Sequence, residues 1–271
     1  MTRAVVLARG LGTRMRQADV ALDAVQAAAA DRGIKAMMPI GAGGRPFLDF
    51  ILSALADAGY TEVCLVVGPD HQAMRDHYQG VRASRLRITF AVQAEPRGTA
   101  DALLAAEPFA AGEDVLVMNG DNYYPIEALR ALRLLHSAGT VLFDADALVR
   151  ESNIPEERLR AFAIGKVDRD DVLIDLIEKP DEDTWRAHDA SGEPVLISMN
   201  CWRLPPAIFD FCRTLTPSAR GELELPQAIH QAIVAGVRLR VVRSTQGVLD
   251  LSRRADIASV ASRLRDLQVV L

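Results

Sequence analysis

Short apolar runs recur along the first half of the chain: AVVLA at 4–8, VCLVV at 63–67, LRITFAV at 86–92 and DVLVMN at 114–119. Runs of this length predict strands buried on both faces. Between them, residues 47–58, 70–78 and 99–106 space their apolar side chains as amphipathic helices do. Strand and helix in alternation predict βαβ units on a mostly parallel sheet. TVLFDAD at 140–146 predicts a further strand.

The second half changes character. FAIGKVD and VLIDLIEKP, within 162–180, predict a hairpin turning at 168–171, and VLISMNCWRL at 195–204 a strand. Helices follow near 206–215 and 223–234, then a strand at 238–244 and a closing helix over 256–269. Patches containing Pro, Gly and Ser at 191–194 and 217–221 predict loops. No internal repeat is present. A single α/β domain over 1–271 is predicted, its second half laid over one edge of the sheet.

Composition narrows the partners. A net charge of -5 disfavours nucleic acid and anionic membranes, which call for a basic excess. Cys64, Cys201 and Cys212 are odd in number and far apart, so they form neither a disulfide framework nor a zinc motif. The scattered histidines, His71 and His77 among them, are not spaced as a ligand set. The first apolar run is too short for a signal peptide, and none is long enough to span a bilayer. A cytoplasmic protein is expected.

The candidate chemistry begins directly after the first strand, at Arg9-Gly10-Leu11-Gly12-Thr13-Arg14-Met15-Arg16. Ligands of α/β sheets settle beyond the carboxyl ends of strands. Glycines there let backbone N–H groups approach a phosphate, and Arg14 and Arg16 supply bidentate positive charge. The third glycine of a dinucleotide fingerprint is absent, and so is the GK[ST] of a P-loop. A tight turn with two solvated arginines is the alternative for this segment alone. Asp121 ends another strand, where a carboxylate can hold Mg²⁺ or serve as a turn residue or helix cap. Lys35 stands as a phosphate-gripping ammonium or as an exposed lysine.

In order, the loop is followed by Lys35-Ala36-Met37-Met38-Pro39-Ile40 and Gly43-Gly44-Arg45-Pro46-Phe47-Leu48. Then come Gln93-Ala94-Glu95-Pro96-Arg97-Gly98-Thr99-Ala100, Asn119-Gly120-Asp121-Asn122 and Glu178-Lys179-Pro180. This ordered set resembles the sugar-1-phosphate nucleotidyltransferases, with glucose-1-phosphate thymidylyltransferases and uridylyltransferases the nearest type. The resemblance implies a Rossmann-like three-layer αβα sandwich with a mostly parallel mixed sheet, of the nucleotide-diphospho-sugar transferase type. Residues 1–145 would form the nucleotide-binding half and 146–271 the sugar-phosphate-binding half.

It implies condensation of an NTP, UTP or dTTP favoured, with a sugar 1-phosphate, by in-line attack on the α-phosphate with Mg²⁺ as cofactor. Leu7, Gly10, Gly12, Thr13, Arg14, Gln93, Gly98 and Thr99 would contact the nucleotide. Arg14, Lys35 and Asp121 would carry catalysis. Asp121 and Asp250 would hold the metal, although Leu251-Ser252 replaces the family's usual Thr-Gly, and a cap of the closing helix is the other reading of Asp250. Glu178, Lys179, Asn200 and Arg220 would bind the sugar phosphate. Glu178 and Lys179 are adjacent, so sharing one ligand requires a strand end or bulge.

The chain departs from the family at three points. Arg9 fills a position normally small, an Ala-rich insertion occupies 18–32, and Pro226-Gln227 stands where relatives often have Thr-Asp. The insertion reads as a helix, passive on the surface or serving as a lid or a homo-oligomer contact. Against the enzyme reading stands a silent homologue that binds nucleotide or NDP-sugar without turnover. An acceptor other than a sugar 1-phosphate is a variant of the enzyme reading, and a nicotinamide-dependent dehydrogenase is more distant.

Overall fold

Alternate residues of the first strand enter two separate apolar cores: Ala4 and Val6 join one, Val5 the other. The same alternation continues along the sheet, with Val63 and Leu65 opposite Cys64 and Val66, and Leu116 and Met118 opposite Val115 and Val117. Both faces are therefore covered, as unbroken apolar runs require. The computed structural model describes residues 1–10, 12–17, 20–41 and 43–271. Leu11 of the glycine loop and Ala18 of the insertion lie outside the described residues.

Nine strands form one sheet: β1 (Arg3–Leu7), β2 (Glu62–Val67), β3 (Arg87–Val92), β4 (Val115–Asn119), β5 (Gly139–Asp144), β6 (Ala163–Val167), β7 (Val172–Ile177), β8 (Leu196–Leu204) and β9 (Leu239–Ser244). Their order is β3-β2-β1-β4-β8-β5-β9-β7-β6. Pairing is parallel among β1, β2, β3 and β4, and again between β5 and β9. It is antiparallel wherever β8 or β7 takes part. The parallel expectation holds for β1 to β4 and for the β5–β9 pair, and fails for the other pairings of the second half.

The second half does not lie over an edge of the sheet, as the sequence led us to expect. It enters the sheet. Strand β8 inserts between β4 and β5, two strands of the first half. Its pairing with β5 breaks between Ser198 and Trp202, and Asn200 at that break adopts a left-handed φ of 57°. The hydroxyl of Tyr124 donates to Met199 O at 2.6 Å and holds the bulge in place.

Helix Phe47–Asp57 sends Phe47, Leu48, Ile51, Leu52 and Leu55 into the first core, beside helices Ile126–Leu134 and Asp256–Leu264. Helices Thr99–Ala105, Ile208–Thr214 and Leu225–Val234 serve the second. Helices Ile126–Leu134, Ala145–Glu151 and Glu182–Ser191 were not foreseen, although the first buries Ala128, Leu129 and Leu132 at helical spacing. The closing helix ends at Leu264, short of 269.

The insertion forms helix Ala24–Arg32, capped by Asp23, whose carboxylate accepts from Val25 N and Gln26 N at 3.0 and 2.8 Å. It docks on the glycine loop. A Cβ at Gly12 (φ 59°) would sit 2.0 Å from Gly33 O, and Arg16 Nη2 donates to Arg32 O at 3.2 Å. Buried Arg254 joins the same contact, donating to Met15 O at 3.0 Å and Asp31 Oδ1 at 2.7 Å. Among the described residues no helix is long and apolar enough to cross a membrane.

Candidate active site

A cleft of ≈ 370 Å³ opens at the carboxyl ends of β1 and β4, where Leu7 and Asn119 end their strands, and beside Gln93, which follows β3. Of the expected nucleotide contacts, Leu7, Gly10, Thr13, Gln93, Gly98 and Thr99 line it, together with Lys35 and Asp121. Gly12 and Arg14 do not. Gly12 is consumed by its close approach to Gly33, and the Arg14 side chain is exposed on the loop next to it.

Backbone geometry shapes this wall. At Gly98 φ is 108°, and a Cβ would sit 2.4 Å from Leu223 O. That approach lets residues 97–100 pair with the loop before helix Leu225–Val234: Leu223 N donates to Arg97 O at 2.7 Å and Ala100 N to Leu223 O at 2.9 Å. Gly120 likewise passes tightly over β1, its N–H bonded to Leu7 O at 2.9 Å. The Thr99 hydroxyl accepts from Leu225 N at 2.8 Å, which ties it to the helix start. Buried Gln93 spends its amide N–H groups on Gly98 O at 2.9 Å and Asp101 Oδ2 at 2.8 Å, leaving its carbonyl oxygen as an acceptor. Arg9 donates to Ala94 O at 3.1 Å, while its Nε and Nη1 are buried without a partner among the described residues.

The carboxylates converge through a short antiparallel pairing of Asn122–Tyr123 with Leu249–Asp250, reinforced by Leu251 N donating to Asp121 O at 2.9 Å. Asp250 therefore belongs to a strand and does not cap the closing helix. Asp256 does the local work instead, accepting from Ser252 N and Arg253 N at 2.9 and 2.8 Å. Lys35 Nζ lies 2.8 Å from Asp121 Oδ2, and Arg158 Nη2 lies 2.8 Å from Asp250 Oδ2. Burial, and then the negative charge of Asp121, push the Asp250 carboxyl above its ordinary pKa, with Arg158 pulling the other way. Its Oδ1 is buried and, among the described residues, unpartnered. An orphaned carboxylate oxygen on Asp250, with the charge of Asp121 close enough to be felt, fits a hard divalent cation that takes few protein ligands.

The sugar-phosphate residues lie outside this cleft. Strand β7 ends at Ile177, and Lys179 adopts φ 46°, which supplies the strand end that adjacent Glu178 and Lys179 needed. The Glu178 side chain is exposed, yet partial loss of water around its carboxyl raises its pKa, as does Glu224, while Lys179 and Arg220 oppose the rise. These four charges thus share one neighbourhood. Ser218 Oγ donates to Glu224 Oε1 at 2.9 Å and accepts from Arg220 N at 3.3 Å, which fixes the loop that carries Arg220.

A family model described as nucleotidyl transferase matches residues 3–251. The chain belongs to the nucleotidyl transferase family. Members of this family generally use a divalent metal. Among curated nucleotidyl transferase relatives, the UTP–glucose-1-phosphate uridylyltransferase AglF of Haloferax volcanii is 27% identical over 264 residues, 97% of each chain. The bifunctional protein GlmU of Methanococcus vannielii is 29% identical over 85% of this chain and 47% of its own length. The low-salt glycan biosynthesis nucleotidyltransferase Agl11 of H. volcanii is 29% identical over 86% of this chain and 58% of its own. The chain thus spans about half the length of these last two. A crystal structure of UDP-glucose pyrophosphorylase complexed with UDP-glucose matches 98% of both chains with a TM-score of 0.73 and 15% identity, a shared fold.

Sequence reasoning missed the residues that hold Asp250. Asn153 accepts from Asp250 N and donates to Asp250 O, both at 2.8 Å, and Arg158 grips the side chain. Both sit in a loop and a one-turn helix that no motif marks. Asn119 and Glu222 also line the cleft. The first belongs to the quoted Asn119-Gly120-Asp121 run and was readable there; Glu222 stands beside Arg220 with no signal of its own.

Proposed function

We propose that this nucleotidyl transferase condenses an NTP with a sugar 1-phosphate to give an NDP-sugar and pyrophosphate. The observation that carries the reading is a glycine-walled cleft lined by Lys35, Asp121, Gln93 and Gly98, with Asp250 paired to the strand that follows Asp121, outside that lining. The fold is read as three layers, helices on either face of the sheet, with 1–145 serving the nucleotide and 146–271 the sugar phosphate.

In this reading the base lies against Gln93 and Gly98. The free carbonyl of Gln93 matches a base edge that presents an N–H, which favours UTP or dTTP over bases with an acceptor there. Backbone N–H groups near Gly10 and Thr13, with Arg14 entering from the loop, take the triphosphate. Lys35 balances charge growing on the departing pyrophosphate. Asp121 and Asp250 would hold Mg²⁺, which supplies charge neutralisation and in-line alignment of the reacting oxygens. Lys179 and Arg220 take the sugar phosphate, and Glu178 and Asn200 the sugar hydroxyls. Two anions must meet, so positioning and neutralisation carry the rate without a covalent intermediate.

Pyrophosphate release tests this, measured with Mg²⁺ across UTP, dTTP, GTP, ATP and CTP and several sugar 1-phosphates. Release requiring one NTP and one sugar phosphate is expected. NTP binding without release for any acceptor would favour the silent homologue.

A further inference from the structure

Each carboxylate of the pair already carries a cation of this chain. The two contacts differ in kind. Arg158 is anchored at both ends of its fork, to Asp250 Oδ2 at 2.8 Å and Asp256 Oδ1 at 2.9 Å, with 13% of its side chain exposed. Asp256 is itself held by two backbone N–H groups, and the Asp250 backbone by Asn153. Among the described residues, Oδ1 of Asp250 has no hydrogen-bond partner. Burial works against the Arg158 charge, but the two carboxylates outweigh it and raise its pKa above the ordinary value.

Lys35 is held far more lightly. Among the described residues its ammonium has Asp121 as its sole hydrogen-bond partner, at 2.8 Å, with 17% and 29% of the two side chains exposed. A lysine is a point charge on four rotatable methylenes, without the fixed fork that locks Arg158. Its backbone sits in the turn Lys35–Met37, beside the cleft and next to the loop that would receive a triphosphate.

Lys35 occupies the Asp121 carboxylate and Arg158 is shared between Asp250 and Asp256, so an unescorted divalent ion meets a cation of this chain at each of its two ligands. At Asp121 that cation is an ammonium already in contact with the ligand, a repulsion that is strong at close range. A triphosphate offers that ammonium several charged oxygens as a new partner.

We propose that the carboxylate pair is closed to a free divalent cation and that Lys35 is its bolt, leaving Asp121 only when a triphosphate enters, so that metal and nucleotide bind together. This rests on the reading of the cleft as an NTP site. Arg158 stays where it is and keeps Asp250 presenting Oδ1.

Water-proton relaxation enhancement with Mn²⁺ reports ion immobilised on the protein, with no turnover needed. Wild type should bind Mn²⁺ weakly alone and strongly once a UTP analogue with a methylene between its α- and β-phosphorus is present. Lys35→Met should bind Mn²⁺ alone at least about tenfold more tightly than wild type. Lys35→Met combined with Asp121→Asn should lose that gain, which ties it to the carboxylate. Wild type binding Mn²⁺ alone as tightly as with analogue would overturn the bolt and leave the nucleotide reading standing. So would an unchanged Lys35→Met. An analogue that binds neither with Mn²⁺ nor without it would remove the nucleotide reading, and this inference with it.

Discussion

The two ends of the site are built by different means. The nucleotide end is shaped by backbone: Gly12 against Gly33, Gly98 against Leu223, Gly120 against Leu7. The contacts at Gly12 and Gly98 leave no space for even one methyl group and that at Gly120 leaves little, and the side chains nearby, Gln93 and Thr99, are already hydrogen-bonded within the protein. The sugar-phosphate end is shaped by charge. Lys179 and Arg220 are exposed and make no ion pair within 4.0 Å among the described residues, and the backbone that presents Lys179 and Asn200 is left-handed at non-glycine residues. A rigid wall suits a partner with fixed geometry, such as a base and its phosphates. A cluster of exposed charges tolerates variation in what carries the phosphate. The lesson is that tolerance to substitution should differ sharply between the two ends.

Four substitutions test that contrast. Asp121→Asn, at the seam between the ends, should lower the rate of pyrophosphate release by about a thousandfold with an unchanged circular dichroism spectrum. Near-normal turnover would take Asp121 out of the chemistry. Gly98→Ala should cost about 2 kcal/mol or more in denaturant unfolding, because the new Cβ meets Leu223 O and φ 108° is strained for alanine. A silent Gly98→Ala would break the claim that backbone contact builds the nucleotide end. Arg220→Ala should raise KM for the sugar phosphate by roughly 10- to 100-fold while leaving KM for the NTP and the unfolding midpoint unchanged. Equal changes in both KM values would dissolve the distinction.

The smallest effect concerns Glu178. Its folded pKa is raised, so the stabilisation linked to its protonated form is full below the ordinary glutamate pKa and lost as pH rises through the folded value. Glu178→Gln should therefore raise Tm at pH 7, by less than about 1 °C because solvent screens this exposed site, with no gain below about pH 4. A gain that persists in acid would point to packing in place of charge.

Much of the first half was legible because buried strands leave continuous apolar runs, and 4–8, 63–67 and 114–119 needed no further context. The glycine loop, Lys35, Gln93, Gly98 and Asp121 could be read for a related reason: chemistry placed at strand ends falls at fixed steps along the sequence. The second half resisted. Whether β8 inserts between β4 and β5 depends on pairing across some 80 residues, which no local period encodes. Arg158 and Asn153 were hidden because each acts on Asp250 from about a hundred positions away, through side-chain contacts that could be made from many places in the chain. Arg14 marks the opposite limit, a motif residue exposed beside the loop and outside the lining of the cleft.

The wedged position of β8 also sets an order on how the molecule can come into being. As the chain emerges from synthesis, β4 and β5 are made long before the strand that must separate them, so their facing edges stay unpaired until residue 204 is available. An early β4–β5 pairing would be a trap that has to reopen. Such long-range closure slows folding and leaves strand edges exposed to other copies meanwhile. A fragment ending at residue 145 should accordingly aggregate on expression, although it carries the whole glycine loop and Asp121.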